Sequence, residues 1–157
     1  MKRAKIQTPG RTLGSFSVLI LLLGTPPALS HHSFAMYDTT ELRTLTGRLT
    51  RFIPGANHAQ LIFELVDESG ETVVGANGEP ERWGVETGPA AAIARQGITV
   101  ASFPLGTVIT VTLHPLRDGR NFGALVRDTQ LVQCGPRVPA GGCTPSTGDV
   151  YLGAGAQ

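Results

Sequence analysis

Four histidines carry most of the chemistry this sequence offers: His31, His32, His58 and His114. Two of them open the run His31-His32-Ser33-Phe34-Ala35-Met36-Tyr37-Asp38, directly after an apolar stretch. A proteolytic cut after Ser30 makes His31 the first residue of the mature chain. Its α-amine and its ring nitrogen then form a chelate for one metal ion. That amine has a reference pKa of about 7.7–8.0, so at neutral pH a metal displaces its proton at little cost. Amine and imidazole nitrogens suit Cu(II), Ni(II) and Zn(II), and Cu(II) binds strongest in the usual order. A cut one residue earlier leaves Ser30-His31-His32, with a histidine third, another copper-binding terminus in which backbone nitrogens join the amine. The expected metal set is His31, His32 and His114, with copper as the ion and zinc, or no metal, as the alternative. The competing reading makes His31 and His32 a polar start to the mature chain, read only by the peptidase.

The remaining reactive residues say less. There is no His-Glu-x-x-His, no Gly-rich phosphate loop and no Gly-x-Ser-x-Gly elbow. Nothing here indicates an enzyme. Met36 beside Phe34 and Tyr37 reads as core packing sooner than as a soft axial ligand. His114 ends an alternating strand on its polar face, just before Pro115. His58 follows a turn. Arg117 and Arg120, with Asp118 between them, read as a solvated turn or as a clamp for an anion or a partner carboxylate. Trp83 reads as core, and Glu86 as a cap or solvent-facing residue.

These side chains need a scaffold. Lys2, Arg3, Lys5 and Arg11 precede an apolar run from Leu13 to Leu23; Pro26-Pro27 and the small residues up to Ser30 follow. This is the three-part pattern of a secretory signal. The run is about half the ~20 residues a membrane span needs. Residues 1–30 are therefore expected to be a signal peptide, and the mature protein to be periplasmic or secreted. All 12 acidic residues lie after Ser30, but only 9 of the 13 basic ones do, so the mature chain carries 9 − 12 = −3 and no lysine. That argues against a nucleic-acid surface or a polybasic membrane patch. Cys134 and Cys143, separated by Gly and Pro, are expected to form a disulfide in an oxidising compartment.

Alternation of apolar and polar residues places strands at 44–52, 59–66, 82–87, 107–114 and 122–133. Phe52-Ile53 breaks the first alternation and suggests a bulge. Gly88-Pro89 opens a short helix over 90–96, stopped by Gly97 and anchored by Ile93. Three strands, a short helix and two strands is the order of the OB-fold, a small five-stranded Greek-key barrel. The expected fold is all-β with one short helix, an OB-like barrel over 31–133, with a β-sandwich as the alternative. Residues 134–157 are read as a disulfide-pinned loop and a flexible tail.

One further pattern joins these pieces. His31-His32-Ser33-Phe34 after a signal, Leu45-Thr46-Gly47, Asn57-x-x-x-Leu61 and Arg82-Trp83-x-Val85-Glu86 together match the pattern of one family. So do Ala94-Arg95-x-Gly97 and His114-Pro115-x-Arg117-Asp118-Gly119. The chain resembles a family of small exported bacterial proteins of unknown function, whose members start HHSF and carry a His-Pro-x-Arg-Asp-Gly motif. Residues 31–133 carry the resemblance. Asn57-His58 lacks the family's intervening Pro; residues 71–80 and the cysteine tail look like additions. In an OB order the end of the fourth strand lies beside the start of the first, so His31, His32 and His114 are expected to converge. His58 is expected at the opposite end. A rival function is a metal-free module using the face of Gln60, Ile62 and Glu64 to bind a protein, glycan or lipid-derived ligand.

Overall fold

A computed structural model describes residues 34–152. A 3₁₀ turn, Phe34–Met36, leads into β1 (Arg43–Ile53), β2 (Gln60–Leu65), β3 (Arg82–Glu86), α1 (Ala90–Arg95), β4 (Val108–Pro115), β5 (Phe122–Leu125), β6 (Gln130–Gln133) and β7 (Asp149–Leu152). The sheet runs β1-β2-β3-β5-β4 and closes through a β1–β4 pairing. The β3–β5 pair is parallel and the other barrel pairs are antiparallel. This is the expected OB-like five-stranded barrel. β6 and β7 extend it beyond β4. Among the described residues no helix is long and apolar enough to cross a membrane.

The alternation read from sequence chooses the inner face. Leu49, Leu61, Phe63, Trp83, Val85, Ile109, Val111, Leu113 and Leu125 form one core with Ile93 of the helix. The two-turn α1 is too short to persist alone. Burying Ile93 completely supplies ~1.5–3 kcal/mol of the packing that holds it. At its end Gly97 adopts φ 86°, and the Ile98 amide reaches back to the Ile93 carbonyl at 3.0 Å, closing the helix with a Schellman turn.

Three local expectations change. The β1 irregularity falls between Leu49 and Arg51, not at Phe52-Ile53. The long fifth strand is two strands. Leu113 faces Leu125 and Thr110 faces Val132, so three steps along β4 match seven along its partner. The four extra residues, 126–129, form a turn with Asp128 at φ 60° and a Thr129 hydroxyl bonded to the Val126 carbonyl at 2.7 Å. Finally, the cysteine tail contains β7, whose Tyr151 packs edge-on against Phe103 and donates to Gln133 Oε1 at 3.1 Å.

Cys134 and Cys143 are joined, with Cα atoms 5.7 Å apart. The bridge closes a short loop, and Cys143 is buried beside Val66, Val108 and Val132. Closing a loop of this size removes enough unfolded-chain entropy to contribute about 2.5 kcal/mol. The Cys134→Ala/Cys143→Ala double variant is expected to stay folded and lose about that much in urea unfolding. A loss under about 0.5 kcal/mol would mean that packing alone holds the loop, together with the Thr110 hydroxyl bond to the Cys143 carbonyl at 2.8 Å.

Candidate functional site

The register of four strands lines up one row on the outer face of the barrel. Gln60 faces Glu86, Glu86 faces Ala124 and Ala124 faces His114. Neighbours across a ladder point to the same side, so these side chains stand opposite the core face of Leu61, Val85 and Leu113. At ~4.8 Å per strand the row spans about 14 Å. The amino-terminal segment lies across it. Asp38 N–H donates to the Pro115 carbonyl at 2.8 Å, and Tyr37 bridges to Leu116. Tyr37 is only 3% exposed and packs with Leu116, Ala124, Phe34 and Phe122. Its ring lies 5.4 Å from that of Phe34.

The Tyr37 hydroxyl reaches the Glu86 carboxylate, and burial with that negative neighbour pushes its pKa up to about 12. His58 Nδ1 lies 3.5 Å from Glu86 Oε1 and 3.2 Å from the Thr87 carbonyl. Both neighbours are acceptors, so Nδ1 carries the proton. Tyr37, Glu86 and His58 thus form one polar chain. The expectation that His58 sits at the opposite end from His114 is corrected. The two histidines flank the same row, because the parallel β3–β5 pairing carries the start of β2 round to the end of β4. Glu86 is neither a cap nor merely solvent-facing; it joins Tyr37 to His58.

At the other end of the row His114 is half-buried, with Nδ1 2.8 Å from the Glu41 carbonyl. A carbonyl only accepts, so Nδ1–H donates and the neutral ring presents its lone pair at Nε2. This is the arrangement in which a backbone carbonyl orients a metal-binding imidazole. Asp38 stands nearby. Its carboxyl is held below the ordinary range by the Thr40 hydroxyl and amide, with the Arg117 guanidinium adding positive charge. Arg117 does not await an external anion: its Nε donates to the Ala35 carbonyl at 3.1 Å and its amide to the Met36 carbonyl at 3.0 Å. Arg120 pairs with Asp118 at 2.8 Å. Met36 is 53% exposed, so the expected core packing does not occur. Trp83 is buried as expected.

His31 and His32 lie outside the described residues, as does the whole expected signal peptide. Among the described residues no group of three or more His, Cys, Asp or Glu side chains is arranged to hold a metal. His114 is brought to the end of the docked segment; His58 is tied to Glu86 beyond Tyr37. The expected ligand face of β2 is partly filled, since Glu64 pairs with Arg82 at 2.8 Å and the Phe122 ring covers Gly84 near Ile62.

Tyr37 makes a pH prediction. Its folded pKa lies above the unfolded value near 10, so above pH 10 the unfolded chain loses this proton first. Stability therefore falls between pH 10 and about 12, by about 2 kcal/mol. Urea midpoints measured at pH 9 and pH 11.5 are expected to diverge in the wild type and to converge in Tyr37→Phe. Equal slopes in the two proteins would remove the buried hydroxyl from the account.

No curated protein and no solved structure matches the chain. One family profile does, over residues 20–125, which ends on the last residue of β5; β6, β7 and the disulfide lie beyond the matched span. With two thirds of its length matched, and the whole barrel within that match, the chain belongs to DUF6152, a family of unknown function.

Proposed function

We propose that the protein is an exported, periplasmic binding protein that holds a divalent metal, copper first and zinc second, at its mature amino-terminus. His31 supplies amine and imidazole, His32 stands next to it, and His114 Nε2 closes the set. The carrying observation is the docking of residues 34–38 across the end of β4, beside an imidazole whose Nδ1 is already bonded to Glu41. Three residue steps lead from Phe34 back to His31, a reach of at most ~10 Å. The resemblance to small exported proteins beginning HHSF supports the same terminus, and the disulfide is compatible with an oxidising compartment.

The test starts with expression from the native signal. Mass spectrometry of the exported protein is expected to give a mature start at His31, and titration to give tight one-to-one Cu(II) binding. A start elsewhere with only weak binding rejects the metal reading.

A specific observation favours a second reading, a metal-free interaction module. Two adjoining cavities of about 370 and 570 Å³ share Thr44, Thr46, Glu68, Gly142 and Cys143, under the loop that the disulfide pins. Volumes of this order take small ligands or a partner's side chain. Binding of a protein, glycan or lipid-derived ligand there would be unaffected by removing His31.

A further inference from the structure

We propose that the groove under the disulfide-pinned loop is a binding site for a small amphipathic organic cation, an apolar body ending in a primary ammonium. The inference rests on the second reading above, that this groove takes a ligand, and is independent of the metal reading. Alternation along β1 and β4 puts a row of threonines on the outer face, where Thr44 meets Thr112 and Thr46 meets Thr110. Their hydroxyls pair at 2.9 and 2.8 Å. Thr110 also donates to the Cys143 carbonyl at 2.8 Å. Its single proton is then spent, so Thr46 is the donor within its pair and keeps its lone pairs open. Thr46 lines both cavities of the groove.

The two cavities differ in kind. The one of about 370 Å³ is walled by Leu65, Val66, Val73 and Val138. The one of about 570 Å³ is floored by Thr44, Thr46 and Thr110. Glu68 lines both, so a carboxylate stands where the apolar half joins the hydroxyl half. Its neighbour Asp67 is already engaged: Oδ1 accepts from the Ser69 hydroxyl at 2.6 Å and from the Ser69 and Glu71 amides at 2.9 and 3.0 Å. The Glu68 carboxylate has no hydrogen bond or ion pair among the described residues. No Lys, Arg or His lines either cavity. Apolar walls, an open hydroxyl acceptor and an unpaired carboxylate together fit an apolar body with a charged donor. An ammonium brings three donors and no acceptor; an anion would meet only repulsion from Glu68. The walls are held before any ligand arrives. Arg48 donates to the Pro136 carbonyl at 2.7 Å and to the Gly70 carbonyl at 3.4 Å, which ties the disulfide loop and the 67–70 turn to the floor strand. Such preorganisation lowers the cost of binding.

The experiment titrates the exported, oxidised protein with three probes of one shape, phenylbutylamine, phenylbutanol and phenylbutanoate, and separately with maltose. Backbone amide shifts are followed by NMR. At neutral pH the amine is an ammonium. It is expected to saturate and to move the amides of Val66, Glu68, Thr110 and Cys143, while those of β3 and α1 stay still. The alcohol is expected to bind the same groove about fivefold more weakly, the ceiling for an exposed ion pair, and the carboxylate more weakly still. Raising the salt from about 0.01 M to about 1 M is expected to erase that preference. Glu68→Gln is expected to bring the ammonium down to the level of the alcohol and to leave the alcohol unchanged. Glu79→Gln, which removes an exposed acid outside the groove, is expected to change neither. Equal affinity for ammonium and alcohol, or a preference that survives Glu68→Gln, overturns this inference alone and leaves a neutral pocket. Tighter binding of maltose at the same amides overturns it in favour of a glycan. Groove amides that stay still with every probe overturn this inference together with the small-ligand form of the second reading.

Discussion

Gly47→Val is expected to cost at least about 3 kcal/mol and to lower the melting temperature by roughly 10 °C or more. Gly47 faces Leu65 of β2 on one edge and Ile109 of β4 on the other. It is where β1 exchanges one partner for the other, and so where the barrel turns its closing corner. Glycine inside a strand is ordinarily a loss of about 0.5–1 kcal/mol against alanine. Here the missing Cβ makes room. A Cβ at this position would stand 2.6 Å from the Glu64 carbonyl oxygen and against the ring of fully buried Phe63. Neither neighbour yields cheaply. Moving the carbonyl disturbs the β1–β2 ladder, and moving the ring disturbs the core. Overpacking usually costs 1–3 kcal/mol, and a valine blocked on two sides belongs at or above that ceiling. A domain of this size has roughly 5–15 kcal/mol in all. Thermal unfolding followed by Trp83 fluorescence provides the measurement, with Gly47→Ala falling between the two. A valine variant melting within about 3 °C of wild type would mean that the corner relaxes elsewhere.

The same corner marks how far the sequence could be read. Alternation in Ile109-Thr110-Val111-Thr112-Leu113 and in Leu61-Ile62-Phe63 sorts inner from outer faces, because a one-residue slip would turn the whole set outward. The strand–helix order then selects the barrel. Which outer residues meet around that barrel is a different matter. It depends on stagger, and stagger follows from the parallel β3–β5 pairing, made between segments far apart in the chain. Treating the strands as level sends His58 to the wrong end; following Gln60, Glu86, Ala124 and His114 around the sheet brings it back. The grip of Arg117 on Ala35 was equally hidden, since an exposed Arg-Asp-Gly turn has the composition of any solvated loop. Its one signal lay in the resemblance, which pairs an HHSF start with a His-Pro-x-Arg-Asp-Gly motif; the fold ties Ala35 and Met36, just after that start, to Arg117. β7 gave no signal because four residues in a Gly- and Pro-rich tail are too few for a period to appear.

His31→Ala in the processed protein is expected to weaken Cu(II) binding by at least about 100-fold. Losing an outer-shell partner of a metal ligand already costs 10–100-fold, and His31 is proposed to supply two inner donors on one residue. Removing its imidazole opens the six-membered ring formed with its own amine. His32 and the amine remain, but they must then be brought together from separate residues at an entropic cost. A 100-fold change is about 2.7 kcal/mol. His114→Ala is expected to lose less, because it closes a chelate already formed. His58→Ala is expected to leave affinity unchanged, its imidazole being committed to Thr87 and Glu86. The pH dependence has a definite sign. The amine must shed its proton to bind, so affinity is expected to fall as pH drops below about 7.7, close to tenfold per unit. Competition titrations of the three variants at pH 6.5 and 7.5 read all of this at once. Equal, weak binding in wild type and His31→Ala would place any copper elsewhere on the chain, and would leave the groove under the 134–143 bridge as the surface to probe.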